Sequence, residues 1–319
     1  MNPPNKLFKY KAFNADSMEL ILADYLYFAN PAQFNDPLDC KTSIVDDINS
    51  EDELKEILAM LYNRSIEKKL QEAAKQLRYN GPKTLEKIST LSQSETDMFI
   101  MNLYGNFEVF GEGGVTINQV LTNAIGKMVL AGYNKGVLSL AERNDCPLMW
   151  SHYADNHKGI CLGYEVPDNV KNIIKPINYT GESREITTSQ IRAMLNDESS
   201  AKIAIEDAIF LRKASDWKYE KEWRMISSVG IQNAQLNLTE IIFGVRCKDT
   251  TIYSIMKSLE KRLLPVKFYQ IAEVPNRFTL ESQEISFDDE GMQQLPRCLQ
   301  YAIDRMNQED YILLNNTGD

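Results

Sequence analysis

Two glutamates and an arginine fall at alternate positions in DWKYEKEWRM (216–225): Glu220, Glu222 and Arg224. Along a strand, residues two apart point to the same face. Two carboxylates sharing a face repel, which raises the pKa of one and prepares it as a general acid or base. A Glu–Arg salt bridge on the charged face of an edge strand is the plainer reading of the same letters. A second window, LMWSHYADNHKGICLGYEV (148–166), holds both histidines of the chain, His152 and His157, with Asp155 between them. Their spacing of five does not place them on one helical face. Three roles stay open there: a metal site from His152, His157 and an acid, a non-metal binding or catalytic role for His152, and a structural turn. In the last, Asp155-Asn156 makes the turn and Gly159 takes an unusual dihedral. The three tryptophans, Trp150, Trp217 and Trp223, fall in the same two windows. They offer large aromatic walls with a polar handle.

Weaker signals lie upstream. In FNDPLD (34–39), Asp36 and Asp39 could ligate a metal, but Asn35-Asp36-Pro37 reads completely as a helix cap with proline at the first helical position. Lys9 and Tyr10 sit on an aromatic strand, LFKY, where such residues usually belong to the core. Cys161 reads as a small buried thiol rather than a nucleophile. The chain has no Rossmann glycine fingerprint, P-loop, H-E-x-x-H or G-x-S-x-G.

The elements that would position these residues follow from periodicity and breakers. Strands are expected at 7–10, around Tyr27 and Phe28, at 136–142, 159–166, 223–230 and 240–247, and as a terminal pair at 266–274 and 277–281. Helices are expected at 15–24, capped by Asp16 or Ser17, and over much of 46–135, where Ser94-x-x-Asp97 reads as a start signal. Further helices are expected at 187–215 and 250–264. Strands mixed with helices that cluster apart predict an α+β fold, a mainly antiparallel sheet. The organisation expected is a discontinuous core over 1–45 and 136–281, a helical insertion at 46–135, and an acidic helical tail at 282–319.

The 319 residues are 43% hydrophobic and 25% charged, enough apolar material for a core without staples. No apolar run reaches the roughly 18 residues of a membrane span, and the N-terminus lacks a secretory pattern. The net charge is −10. Ten acids and three arginines place −7 of it in residues 273–319, so the body is near neutral and lacks the clustered cations of broad nucleic-acid binding. Five cysteines without a C-x-x-C pair predict reduced thiols and a cytoplasmic location.

In order and spacing, LFKY, LYFANPAQFNDPLD, LMWSHYADNHKGICLGY and DWKYEKEWR resemble the bacterial domain of unknown function 2971, over about 1–45 and 136–281. That resemblance implies a bacterial intracellular protein. It also implies, by genomic association, an effector role in toxin action or antiviral defence. The layout is similar, more distantly, to the ADP-ribosyltransferase superfamily. That similarity implies NAD as cofactor and a macromolecular acceptor, protein or nucleic acid. It assigns Lys9 or Tyr10 to the first-strand position, Tyr27 to the second and Glu222 to the third, where the glutamate holds the nicotinamide ribose and stabilises an oxocarbenium-like transition state. Trp150, Tyr153 and Trp217 would stack on the cofactor. The superfamily has His or Arg where this chain has Lys9 or Tyr10, and His152 is the candidate to supply the missing group.

Three functions therefore compete. One is an NAD-consuming transferase acting through Glu220, Glu222, His152 and Arg224. Another is a hydrolase or nuclease using His152, Asp155 and carboxylates, with or without a divalent metal. The third is a non-catalytic pocket for a ligand or peptide, with the acidic tail serving partner binding or self-association.

Overall fold

The computed structural model describes residues 2–110, 114–179 and 184–286. The chain starts with β1 (Lys6–Lys11) and α1 (Ala15–Leu22). The cap of α1 is Asn14, not Asp16 or Ser17. Its side chain accepts from the Ser17 amide, and the Ser17 hydroxyl accepts in turn from the Asn14 amide. This reciprocal box satisfies two amides that the first turn leaves orphaned. Next come β2 (Tyr25–Phe28), a 3-10 turn at Pro31–Gln33 and β3 (Ser43–Val45).

No helix follows Asn35-Asp36-Pro37, contrary to the capping expectation. The Leu38 amide donates to Asp36 Oδ1, closing a local turn, and Cys40 adopts a left-handed φ of 54° that ends any helical run. Three helices come next: α2 (Glu51–Gln76), α3 (Thr84–Phe110) and α4 (Ile117–Gly132). Ser94-x-x-Asp97 is not a start, because it lies inside α3. The nearby hydroxyls of Ser92 and Thr96 bond back to carbonyls of the preceding turn, so they do not interrupt the helix.

The remainder runs β4 (Gly136–Ala141), α5 (Pro147–Tyr153), β5 (Ile160–Glu165), β6 (Ile174–Pro176), β7 (Glu185–Thr187), α6 (Thr188–Leu195) and α7 (Ser199–Phe210). It closes with β8 (Glu222–Ser227), β9 (Gly230–Asn233), β10 (Asn237–Phe243), α8 (Asp249–Leu259), β11 (Lys267–Glu273) and β12 (Leu280–Glu284). The expected C-terminal helix falls in 287–319, outside the described residues.

Eight strands form one sheet in the order β12-β11-β10-β5-β1-β4-β8-β6. Its neighbours are antiparallel except β10 and β11, so the fold is α+β. β2 pairs with β9, and β3 with β7, as small separate ribbons. Within the large sheet, β1 matches β5 over six residue pairs, yet meets β4 only where Phe8 lies opposite Ala141. The sheet parts between β1 and β4.

Side-chain alternation then divides the core. Leu7, Leu140, Leu162, Trp223, Met225 and Ile241 point to one face and pack with α8 residues such as Ile255. Phe8, Tyr10, Cys161 and Ile242 point to the other and pack on Trp150. A third cluster joins α2 and α4, through Leu54, Ile57, Leu121 and Ile125, to Val137 of β4 and Phe210 of α7. Because Trp223 and Met225 enter the first cluster, the period of two turns Glu222 and Arg224 to the opposite face.

Candidate functional site

The parting between β1 and β4 opens into a cleft whose empty space, open mouth included, is about 800 Å³. Lys9 and Tyr10 reach it from β1, Ser139 from β4 and Glu222 from β8. Tyr153 of α5 and the turn carrying Phe34 and Asp39 close two further sides. Lys9 crosses the parting and donates from Nζ to the Ser139 carbonyl at 2.8 Å, where a strand ladder would have supplied a backbone amide.

The floor is a buried ionic network. Lys213 donates to Glu220 Oε2 at 2.6 Å and to Glu222 Oε2 at 3.0 Å, and stands 3.5 Å from Asp39 Oδ2. Arg224 is 1% exposed. Its Nη1 and Nη2 donate to Asp39 at 3.0 and 2.6 Å, its Nε to Glu222 Oε1 at 2.6 Å, and Nη1 also to the Phe210 carbonyl at 2.7 Å. Tyr153 donates to Glu220 Oε1 at 2.7 Å. Lys213 also lies 5.0 Å over the Trp217 ring. Every charge here has a partner, as burial requires.

The two glutamates nevertheless diverge. Burial raises the Glu222 carboxyl, but the charges of Arg224 and Lys213, with hydrogen bonds from Arg224 and Ser139, reverse this and hold it well below the usual carboxylate range. Burial also raises Glu220. There the Lys213 charge opposes, Glu222 repels, and the net shift is upward. The sequence reading expects mutual repulsion to raise one member of the E-x-E pair; burial leads the rise of Glu220, and repulsion by Glu222 adds to it. The pair's geometry is different, since Glu220 ends a 3-10 turn (Ser215–Glu220) and Lys221, at a left-handed φ of 45°, swings the chain into β8. Lys9 is pushed down to about 8 by burial and by Lys11, with Arg224 adding and the glutamates opposing.

Of the residues singled out from sequence, Lys9, Tyr10, Tyr153, Glu220 and Glu222 line the cleft, and Arg224 stands directly behind Glu222. Trp150 does not line it. It is wholly buried, donates to the Asn144 carbonyl at 2.7 Å and meets Tyr10 edge-on, so it shapes the wall from behind. Trp217 supports Lys213 from outside the lining. Tyr27 is exposed and bonds Gln33 at 3.3 Å, beside the cleft rather than in it. His152 is exposed on α5, edge-on to Tyr153 and Trp217.

His157 Nε2 instead meets Ser151 Oγ at 3.1 Å, and Asp155 is exposed. The pair and Asp155 do not converge, and among the described residues no group of three or more His, Cys, Asp or Glu is placed to hold a metal ion. Asp155, Asn156 and His157 carry the positive φ values, not Gly159. Gly159 is required for another reason: a Cβ there would stand 2.3 Å from the Lys11 carbonyl.

Sequence reasoning missed Lys213 and weighed Asp39 only as a possible metal ligand, not as the partner of Arg224. The available signal was charge demand, because a buried E-x-E pair with one arginine still needs a second cation.

The family described as a protein of unknown function (DUF2971) matches residues 149–225. The matched stretch carries Tyr153, Lys213, Glu220, Glu222 and Arg224, and leaves Lys9, Asp39 and Ser139 outside it. No curated protein and no solved structure matches the chain.

Proposed function

We propose that the cleft is the active site of an enzyme acting on a glycosidic bond, with NAD as the ligand and water or a macromolecule, protein or nucleic acid, as acceptor. One observation carries this reading: Glu220 and Glu222 bind the same Lys213 ammonium, but Arg224 also clasps Glu222 whereas Glu220 meets only the Tyr153 hydroxyl besides, an asymmetry that drives their proton affinities apart. Carboxylates separated in this way take the two roles of acid–base chemistry.

Glu222, held ionised, faces the positive charge that develops at the ribose carbon as the carbon–nitrogen bond breaks and its electrons return to the nicotinamide ring. Glu220 takes the proton from the acceptor hydroxyl as the new carbon–oxygen bond forms. Tyr153 orients Glu220, and the rings of Tyr10 and Phe34 offer apolar faces to a planar ligand. A toxin-like or antiviral role in the cytoplasm is part of the same proposal. It is supported by the family resemblance and by the free, buried state of Cys40, Cys146, Cys161 and Cys247. No helix among the described residues is long and apolar enough to cross a membrane.

The test is nicotinamide release from NAD by the purified chain. Glu220→Gln and Glu222→Gln should each lose about 10²-fold or more with circular dichroism unchanged, whereas His152→Ala, outside the cleft lining, should stay within a few-fold. Unchanged release from folded Glu222→Gln sinks the assignment. A second reading, a pocket that holds a ligand without turning it over, is favoured by the internal satisfaction of both carboxylates. It predicts saturable ligand binding with no release.

A further inference from the structure

Lys9 stands apart from the other cations of the cleft. Arg224 and Lys213 are spent on Asp39, Glu220 and Glu222. Lys9 makes one hydrogen bond, to a neutral carbonyl, and among the described residues no carboxylate pairs with it. An ammonium has three donors, so two remain, on a side chain that lines the cleft.

The charge balance of the floor points the same way. Asp39, Glu220 and Glu222 are each bonded by Lys213, Arg224 or both. That leaves Lys9 as a cation lining the cleft that no carboxylate bonds among the described residues. A half-buried ammonium without a counter-ion is costly unless something supplies one. The adjoining walls, Phe8, Phe34, Leu140 and Met149, are apolar.

From this geometry we infer that Lys9 is the anchor for an anionic group, phosphate or carboxylate, on a ligand whose planar or apolar body lies against the Phe34 side of the cleft. The inference rests on the cleft being the ligand site. It does not require the glycosidic chemistry.

The test uses the full chain. Lys9 is acetylated with acetic anhydride and its labelling rate read by peptide mass spectrometry, with exposed Lys248 as internal reference. The probes are inorganic phosphate, pyrophosphate, adenosine monophosphate and nicotinate, beside the uncharged adenosine and nicotinamide. At least one anion should slow Lys9 labelling fivefold or more relative to Lys248, while its neutral counterpart slows it less than twofold. Protection by the phosphates identifies a phosphoryl ligand, and protection by nicotinate a carboxylate. No protection by any of the four anions, or equal protection by the neutral partners, overturns the inference. The protecting anion should bind Lys9→Arg and lose at least tenfold in affinity for Lys9→Met, with both variants checked by circular dichroism. Anion protection without nicotinamide release would retain the anchor and reject the NAD reading, so the two proposals fail separately.

Discussion

Arg224 shows what a single buried side chain holds together. It binds both oxygens of Asp39 and both of Glu222, and it is almost fully enclosed. Removing one partner of such a set leaves uncompensated charge, which costs about 3–5 kcal/mol. Arg224→Met should therefore lower the unfolding free energy read from urea titration by that amount.

The glutamates should differ in sign. Glu222 has a folded pKa below its ordinary 4.5, so its contribution is complete above 4.5 and is lost as the pH falls through the folded value. Glu220 has a folded pKa above 4.5, so its ionisation weakens the fold as the pH rises through that value. Urea titrations at pH 8 should find Glu222→Gln strongly destabilised and Glu220→Gln within about 1 kcal/mol of the parent. The Glu222→Gln deficit should narrow below pH 4.5. Equal losses for both variants at pH 8 would mean that Glu220 is simply another member of the ion network.

At the scale of elements, the approach of α5 to the sheet depends on two glycines. The chain leaves α5 through three left-handed residues, Asp155 to His157, and passes Gly159 just before β5. A Cβ at Gly159 would meet the Lys11 carbonyl at 2.3 Å, and one at Gly244 the His157 carbonyl at 2.1 Å. Both obstacles are backbone, which cannot rotate away. Gly159→Ala should cost about 1–3 kcal/mol or more. It should also push α5 outward, taking Tyr153 from Glu220. Differential scanning calorimetry should show the lower midpoint, and a Gly159→Ala chain that melts with the parent would refute the close approach.

The same elements show what was legible beforehand. Strands β1, β4, β5, β8, β10 and β11 stood out because their apolar runs are bounded by turn residues, whereas the strand expected at 277–281 overlaps β12 (Leu280–Glu284) only at its first two residues. The start of α1 at residue 15 was legible, but its cap was placed two or three residues late, at Asp16 or Ser17 rather than Asn14, because asparagine, aspartate and serine crowd together there and any of them can cap. The Asp36-Pro37 turn imitated a helix start. Only the tertiary partner Arg224 gives Asp39 its meaning, and that pairing spans 185 residues. Local spacing exposed Glu220, Glu222 and Arg224. Lys213 joins them through a 3-10 turn, which no strand or helix period reports.

Across the whole molecule, the division of the core decides how the chain should come apart. Helices α2 and α4 are not packed only on each other. Leu54, Ile57, Leu121 and Ile125 share a cluster with Val137 of β4, Phe210 of α7 and the partly buried Ile226 of β8. On their opposite faces, β4 and β8 carry Leu138, Leu140, Trp223 and Met225 into the sheet's other cluster. The ionic floor lies on the β8 face turned towards the helices, where Arg224 also bonds the Phe210 carbonyl of α7. Losing either layer would strip β4 and β8 of half their packing and expose a buried ionic network.

A helical stretch that behaved as a separate insertion would melt by itself. The shared strands argue for one cooperative transition instead. The reporters are conveniently divided, because Trp150, Trp217 and Trp223 all lie outside the helical cluster, whereas α2, α3 and α4 contribute much of the helical signal. Urea unfolding followed by tryptophan fluorescence and by circular dichroism at 222 nm should give coincident curves. A loss of helix that precedes the fluorescence change would show that the 46–135 stretch unfolds independently, and that β4 and β8 retain their place without it.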